Sequence, residues 1–461
     1  MRNQRSLSVI IPVHNGLPFL QVCLQKVADN VDMEKTEIIV IDNASDSETR
    51  EWLRTITAVK IVENNDICST PASFNQGITM SSGEMILLLH SDTVLPHNAV
   101  SRLEKVLYAS ENAGAVGPVS SGALFNKQTP KIMPLSYHDI YSFEKAAEDY
   151  YLKRLPAVQD IFLENFCVLL KRVAVEATGR FDEAFAPHYM EMEEYSLRML
   201  DKGYRLWLAQ SVLVYHERNV TAKSMHLLVD RLITEGINRI KNKTGIDISY
   251  SSSIRRELIE RMDITKKDLS ILDVGCACGG DFLYLQSLNP TVRCYGIELN
   301  DITARVASKF AEVRAEDVEK INVPEWEDKF DYIIMGDIIE HLRNPLAALK
   351  HMYRLLKHGG KIVISTPNIG HISIILNLLN ARFPYADSGI LDRTHVHFFT
   401  KIEMLNMLTE VGFKAEQFDG SIAPLSEEEN NLLEELLKIT SVDVDREQLL
   451  FYQHFYEGLK V

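Results

Sequence analysis

Residues Met85–Pro96, MILLLHSDTVLP, constrain the fold more than any other stretch. Five consecutive apolar residues, Met85–Leu89, have the length and character of a strand buried in the middle of a sheet. The run stops abruptly at His90, Ser91, Asp92 and Thr93. In an open α/β sheet, ligands bind just beyond the carboxyl ends of the strands. A carboxylate there can hold a divalent cation against a diphosphate, because hard oxygen ligands suit Mg²⁺ or Mn²⁺. An isolated Asp in such a place also serves simply to cap a loop, so the flanking segments decide between the two.

Upstream, Ser8–Pro12 (SVIIP) reads as a buried strand from its β-branched residues. His14-Asn15-Gly16 is a turn, and Leu17–Val27 has a helical period. Glu37–Ile41 is the next strand, closed by Asp42, which makes a βαβ unit whose terminal acid can accept hydrogen bonds from a ribose or base. Val59–Val62 is a third short strand, and Ser73–Ser82 is a predicted helix carrying Asn75 and Gly77. Farther on come DIFLENFCVLLKR (160–172), GRFDEAF (179–185), EMEEYSLRMLDKG (191–203) and SVLVYH (211–216).

The ordered set SVIIPVHNG, EIIVIDNASD, FNQGI and SGEMILLLHSDT resembles the family 2 glycosyltransferases, with their GT-A nucleotide-diphospho-sugar transferase fold. The resemblance implies a nucleotide site with Pro12, Asp42, Asn75 and Asp92, Asp42 being the base contact. It implies a Mg²⁺ or Mn²⁺ ion held by Asp92 and by His216. Where the family's metal motif begins with Asp or Asn, this chain has His90; one carboxylate plus the diphosphate remains to hold a cation. The family's general-base Asp falls on Met192, which cannot take a proton. Glu191, Glu193 and Glu194 surround it and are the candidate bases, Glu191 and Glu194 sharing a helix face. A solvated acidic helix start, favoured by the helix dipole, is the plainer account of the three. The stretch Ser120–Tyr151 lies where the family binds its acceptor and matches nothing recognisable.

A second site follows. LSILDVGCACGG (269–280) reads as strand, glycine-rich turn and helix start, where small residues let the backbone approach a ligand. The next strand, Arg293–Ile297, ends in Glu298; Asp317 follows, and the strand Phe330–Met335 leads to Asp337. An acid placed like Glu298 can accept from both ribose hydroxyls. The loop alone would also fit a dinucleotide, but Asp273 sits where a pyrophosphate site wants no acid. With IIEHLRNPLAALKHMYRLLKHGGKIVISTPN after them, these segments resemble the class I S-adenosylmethionine-dependent methyltransferases. The resemblance implies that Asp273, Gly275, Ala277 and Gly279 meet the methionine part of the cofactor, Glu298 the ribose and Asp317 the adenine, with Asp337 facing the methyl group. DRTHVHFFT (392–400) resembles a stretch of methyltransferases that act on hydroxyls. A hydroxyl needs deprotonation to become a nucleophile, so His395, Asp392 and His341 are the candidate catalytic groups. His397 shares the His395 face of an extended segment.

The expected architecture is therefore α/β: a doubly wound GT-A domain over 1–250, a Rossmann-like methyltransferase domain over 251–420, and a helical acidic tail over 421–461 packed on the latter. A polar, turn-rich join lies near residue 250. A net charge of -15 offers no excess of positive charge for nucleic acid. Six cysteines without a CxxC pair read as reduced. The first residues read as a strand, not a signal peptide, and no apolar run approaches a membrane span, so a cytoplasmic enzyme is expected. The expected activity is bifunctional: sugar transfer from a nucleotide sugar to a glycan or glycolipid acceptor, with inversion, and O-methylation of a sugar hydroxyl in polysaccharide or glycoconjugate synthesis. The alternative is a glycan O-methyltransferase whose N-terminal domain is a degenerate glycan- or nucleotide-binding module, which His90 and Met192 would suit. Oligomeric state is not readable.

Overall fold

The computed structural model describes residues 6–120, 122–123, 128, 139–186, 189–217, 228–439 and 445–461. Most of the expected acceptor stretch between 121 and 138 therefore lies outside the described residues. The chain divides into two compact units, Met1–Tyr250 and Ser251–Val461.

In the first unit the strands are β1 (Leu7–Val13), β2 (Thr36–Asn43), β3 (Lys60–Asn64), β4 (Met85–Leu89), β5 (Thr93–Val94), β6 (Ala113–Ser120), β7 (Ala157–Asp160), β8 (Cys167–Lys171) and β9 (Arg205–His216). They run in the order β3-β2-β1-β4-β8-β6-β9, with β5 and β7 also pairing β9. The β3-β2-β1-β4 part is parallel, while β8 is antiparallel to β4 and β6. All five residues of β4 are buried, as their unbroken apolar run requires. The helix Leu17–Asn30 buries Leu20, Cys23, Leu24 and Val27, a spacing that marks one helical face. The helix Thr70–Met80 lies so close on β1 that a Cβ at Gly77 would come within 2.3 Å of Ile10. Chain order reverses between β1 and β4, so the loops after β1, β2 and β4 open on one crevice.

The second unit contains β10 (Ser270–Val274), β11 (Arg293–Glu298), β12 (Glu312–Ala315), β13 (Phe330–Gly336), β14 (Leu356–Pro367), β15 (Phe413–Ile422) and β16 (Phe451–Lys460), in the order β12-β11-β10-β13-β14-β16-β15. The first five are parallel; β16 is antiparallel to both neighbours. The helical tail expected over 421–461, packed on the methyltransferase domain, is present in its first part and gives way to a strand in its last. Glu427–Leu436 is a helix with a capping box from Ser426 and Glu429, but Phe451–Lys460 is an interior strand. Its aromatics Phe455 and Tyr456 are core residues. The polar join is also more ordered than expected: the helix Val229–Thr244 runs into it and Ile248–Ser251 forms a further turn.

Candidate active sites

In the first unit, β5 and β9 bring three side chains together. Thr93 pairs with His216, so the end of β9 lies one residue from Asp92. The Glu217 N–H donates to the Asp92 carbonyl at 3.1 Å, fixing that approach. The Phe166 carbonyl accepts from the His90 N–H at 2.9 Å and the Thr93 hydroxyl at 3.2 Å, and the Phe166 ring stacks on His216. One donor atom each from His90, Asp92 and His216 then lies within 4.8 Å of the others. His216 Nε2 is 3.4 Å from Asp92 Oδ1. Burial alone would push the Asp92 carboxyl up, but His216 and His90 outweigh it and hold it below the usual range. Burial would likewise push His216 down, and Asp92 reverses that. His90, which departs from the family pattern, is thus not a loss: its imidazole occupies the cluster. The trio fits a divalent cation with nitrogen and oxygen ligands.

Two residues expected at the nucleotide are engaged elsewhere. Asp42 is fully buried; its carboxylate accepts from Arg50 Nε at 2.9 Å and from the Ser45 N–H at 3.0 Å, so it orders the loop after β2. Asn75 is a clamp: its Nδ2 donates to the Phe181 carbonyl and Glu183, and its Oδ1 accepts from the Phe181 N–H. Pro12 is half-buried one residue from the end of β1, beside the turn where Asn15 and Gly16 take positive φ. That turn is tied to the β2 loop, since the Asn15 N–H donates to Ser45 and the Asp46 N–H to Asn15.

The three glutamates open the helix Glu191–Asp201 and are all buried, contrary to a solvated start. Glu194 is withdrawn as a base: Arg198 grips both its oxygens and Lys243 donates at 2.7 Å. Glu191 and Glu164 both act electrostatically on Glu193. Burial pushes the Glu191 carboxyl up to about 7, against a hydrogen bond from Asn165. Its Oε2 has no hydrogen-bond partner. Burial, then Glu191 and Glu164, raise Glu193 further. Tyr189 and Met190, just before the helix, both have positive φ. Such strain in non-glycine residues clusters at functional positions.

In the second unit the glycine-rich loop joins β10 to the helix Gly280–Leu288. Gly275 has φ +76, and a Cβ there would lie 2.2 Å from Ile338 Cδ1; Gly279 has φ +84. Ala277, at φ 47, pays for lacking glycine's freedom, and its N–H donates to Glu298 at 2.8 Å. The other Glu298 oxygen accepts from the Asn300 N–H. Asp317 accepts from Lys320 and the Glu319 N–H and remains partly exposed. Two residues not singled out in the sequence complete the site. Arg255 crosses Gly336, where a Cβ would come within 2.2 Å of its side chain, and bonds Asp337 at 2.8 Å. Asp281 accepts from the Arg255 N–H. Asp337 also accepts from Ser365, so it is a positioned, compensated acid and not a free one. Burial, then Asp281, push the Asp273 carboxyl up, Arg255 opposing them. Asp273, Asp281 and Glu298 therefore act on one another around the loop, while the Arg255 guanidinium is paired with Asp337. A cationic ligand suits that deficit of positive charge, as does backbone open enough to receive it.

At the end of β13, His341 and His395 meet edge to face at 4.8 Å between ring centroids. The buried carboxylate with them is Glu340, which the sequence reading passed over. Burial, then Asp337, push it up to about 8. Asp392 instead caps its own turn, accepting from the Thr394 N–H and hydroxyl. His397 is turned away, its Nε2 at the Arg343 carbonyl and its ring stacked on Phe399.

Each unit is thus an α/β transferase domain with its ligand groups at the switch point of the sheet. Residues 8–176 match the model of glycosyl transferase family 2, and residues 248–417 match that of a methyltransferase domain. The chain thus carries a segment similar to the family 2 glycosyl transferases, followed by one similar to methyltransferase domains. Phosphoethanolamine N-methyltransferase 3 of Arabidopsis thaliana is 29% identical over 174 residues, 34% of this chain and 33% of that protein. The ubiquinone biosynthesis O-methyltransferase of Coxiella burnetii is 27% identical over 139 residues, 29% of this chain and 57% of that one. The chain thus spans well under two thirds of these curated relatives. Among solved structures, a mannosyltransferase of Pyrobaculum calidifontis in complex with GDP-Man and Mn²⁺ is 19% identical with a TM-score of 0.36, covering 48% of this chain and 60% of that one. A methyltransferase of Archaeoglobus fulgidus is 18% identical with a TM-score of 0.35, covering 48% and 98%.

Proposed function

We propose that the protein transfers a sugar from a nucleotide-diphosphate donor to a glycan or glycolipid acceptor, with inversion, and methylates a sugar hydroxyl, in the synthesis of a surface polysaccharide or other glycoconjugate. Both reactions are placed in the cytoplasm. The observation that carries the first reaction is the grouping of His90, Asp92 and His216, one donor atom from each lying within 4.8 Å of the others. Glu191, with a carboxyl near neutrality, takes the proton of the acceptor hydroxyl as its oxygen attacks the anomeric carbon and the bond to the diphosphate breaks. His90, Asp92 and His216 would hold a divalent cation, which would supply stabilisation of the charge on the departing diphosphate. In the second domain Asp273 and Asp281 receive the cationic amino-acid end of S-adenosylmethionine, Glu298 its ribose and Asp317 its adenine. The cofactor supplies an electrophilic methyl group, and His395 or His341 receives the hydroxyl proton.

Met192, fully buried where the family has its base, favours the second reading, a degenerate N-terminal binding module. Release of nucleoside diphosphate from UDP-, GDP- and dTDP-sugars with Mn²⁺ separates the two. Turnover lost in Glu191→Gln is the expected result; no turnover with any donor overturns sugar transfer. Transfer of a labelled methyl group to a glycan hydroxyl is expected of the second domain, and labelling only at nitrogen overturns O-methylation.

A further inference from the structure

We infer that Glu340, His341 and His395 form a second divalent-metal site, within the methyltransferase domain and separate from the His90–Asp92–His216 cluster. One donor atom from each of the three residues lies within 4.8 Å of the others. Glu340 is 1% exposed, and among the described residues no group in good hydrogen-bond geometry donates to its carboxylate oxygens, the Thr366 hydroxyl standing beside them. A buried carboxylate left without donors is costly, and a bound cation is one of the few things that repays it.

The histidines are prepared for the same task. His341 Nδ1 lies 3.2 Å from the Thr394 carbonyl and His395 Nδ1 lies 3.0 Å from the Ile390 carbonyl. A carbonyl only accepts, so each Nδ1 carries the proton and each Nε2 keeps its lone pair. Fixing the imidazole tautomer through a backbone carbonyl on the far nitrogen is how metal-binding histidines are ordinarily oriented. The loop is clamped as well: the Glu340 carbonyl accepts from the Val396 and His397 N–H groups at 2.9 and 3.1 Å. These bonds hold the segment carrying His395 against the segment carrying Glu340 and His341.

The donor set names the class of ion. Two imidazole nitrogens and one carboxylate suit a first-row transition metal such as Mn²⁺, Fe²⁺ or Co²⁺ better than Ca²⁺ or Mg²⁺, which favour all-oxygen sites. Three protein ligands leave coordination positions open for an acceptor. The site lies just past β13, and Ile338, two residues from Glu340, packs on Gly275 of the cofactor loop. An acceptor hydroxyl bound there would have its proton loosened by the ion, which takes the place of direct proton transfer to His395 or His341, because their Nε2 lone pairs are then occupied. That role rests on the hydroxyl-acceptor reading; the ion's binding does not.

The test is Mn²⁺ titration of the full chain, followed by loss of the free-ion paramagnetic resonance signal, in an Asp92→Asn background that disables the first cluster. One equivalent is expected to bind, and adding Glu340→Gln or His395→Ala is expected to weaken it at least tenfold. Calorimetry with S-adenosylhomocysteine should read the same in all three, showing the domain folded. Should Glu340→Gln fail to fold, the exposed His341→Ala carries the same expectation. Mn²⁺ binding unchanged by both histidine variants, or absent from the Asp92→Asn protein, overturns the site. Full-rate hydroxyl methylation in excess chelator, with Mn²⁺ binding confirmed, overturns the role given to the ion and leaves the site standing.

Discussion

The two domains place acids at the same address, the carboxyl ends of parallel strands, yet balance them differently. In the first, Asp42 has Arg50, Asp92 has His216, and Glu194 has Arg198 and Lys243. In the second, Asp281 and Glu298 raise Asp273 with Arg255 opposing them, and that arginine is already paired with Asp337. The charge left over at each crevice matches the ligand proposed for it. At the strand ends a diphosphate suits compensated acids and a sulfonium and an ammonium want free ones; the uncompensated Glu191 and Glu193 stand instead at a helix start, where the proposed base is needed. The comparison teaches that the partners of the strand-end acids, more than the acids themselves, tell two nucleotide-derived ligands apart.

The sharpest way to break this contrast is Asp92→Asn. Sugar transfer is expected to fall by about two to three orders of magnitude, the scale for deleting one preorganised charge-stabilising group. S-adenosylhomocysteine binding should not change; a fall in both would mean the domains are not separate in function. Next in size is Gly275→Ala. Its positive φ and the contact with Ile338 should together cost about 2 kcal/mol, or roughly thirtyfold in S-adenosylhomocysteine affinity by calorimetry. Glu298→Gln keeps an acceptor for the Ala277 N–H but removes charge, and about a tenfold loss is expected by the same measurement.

A pH series on Glu191 sharpens the first domain. A general base must be ionised, so sugar transfer should rise with pH through about 7 and then level off, and Glu191→Gln should lose that limb. The stability sign is opposite. The folded carboxyl ionises near 7 and the unfolded one near 4.5, so folding is progressively penalised between those values, and the penalty is complete above them. Denaturant titration of Glu191→Gln should therefore show a gain of about 3 kcal/mol at pH 8 and much less at pH 5. The smallest expected effect is Asp46→Ala, which removes the cap donated to by Thr49 and should cost about 1 kcal/mol with no change in either ligand.

The strands of both parallel halves were legible because each is a short apolar run ending in a turn and an acid, as β4 and β10 are. The loop glycines were legible for the same reason: their spacing follows from the turn. What escaped the sequence depends on contacts far along the chain. Glu340 looks like one more acid before a helix; only the hydrogen bonds from residues 396 and 397 to its carbonyl reveal a buried carboxylate beside two imidazoles. Glu194 looked equivalent to Glu191 until Lys243, 49 residues on, took it out of play. Asp42 and Asn75 sit at the family's positions but spend their polar atoms on Arg50 and Phe181. Position in a motif gave the address, and the neighbours decided the occupation. For β16, FYQHFYEGLK has neither clean alternation nor a charged face to mark it as a sheet interior.

That strand also sets the timing of synthesis. Among the described residues β15 pairs only with β16, which is made after it, and β14 waits on the same partner along its second edge. A nascent chain that has reached residue 422 therefore carries two raw sheet edges, and it keeps them until residues 451–460 emerge. At about 5–20 residues per second the interval lasts a few seconds. Within it the C-terminal domain is exposed to edge-to-edge capture by other chains, while the N-terminal domain already has all its strands.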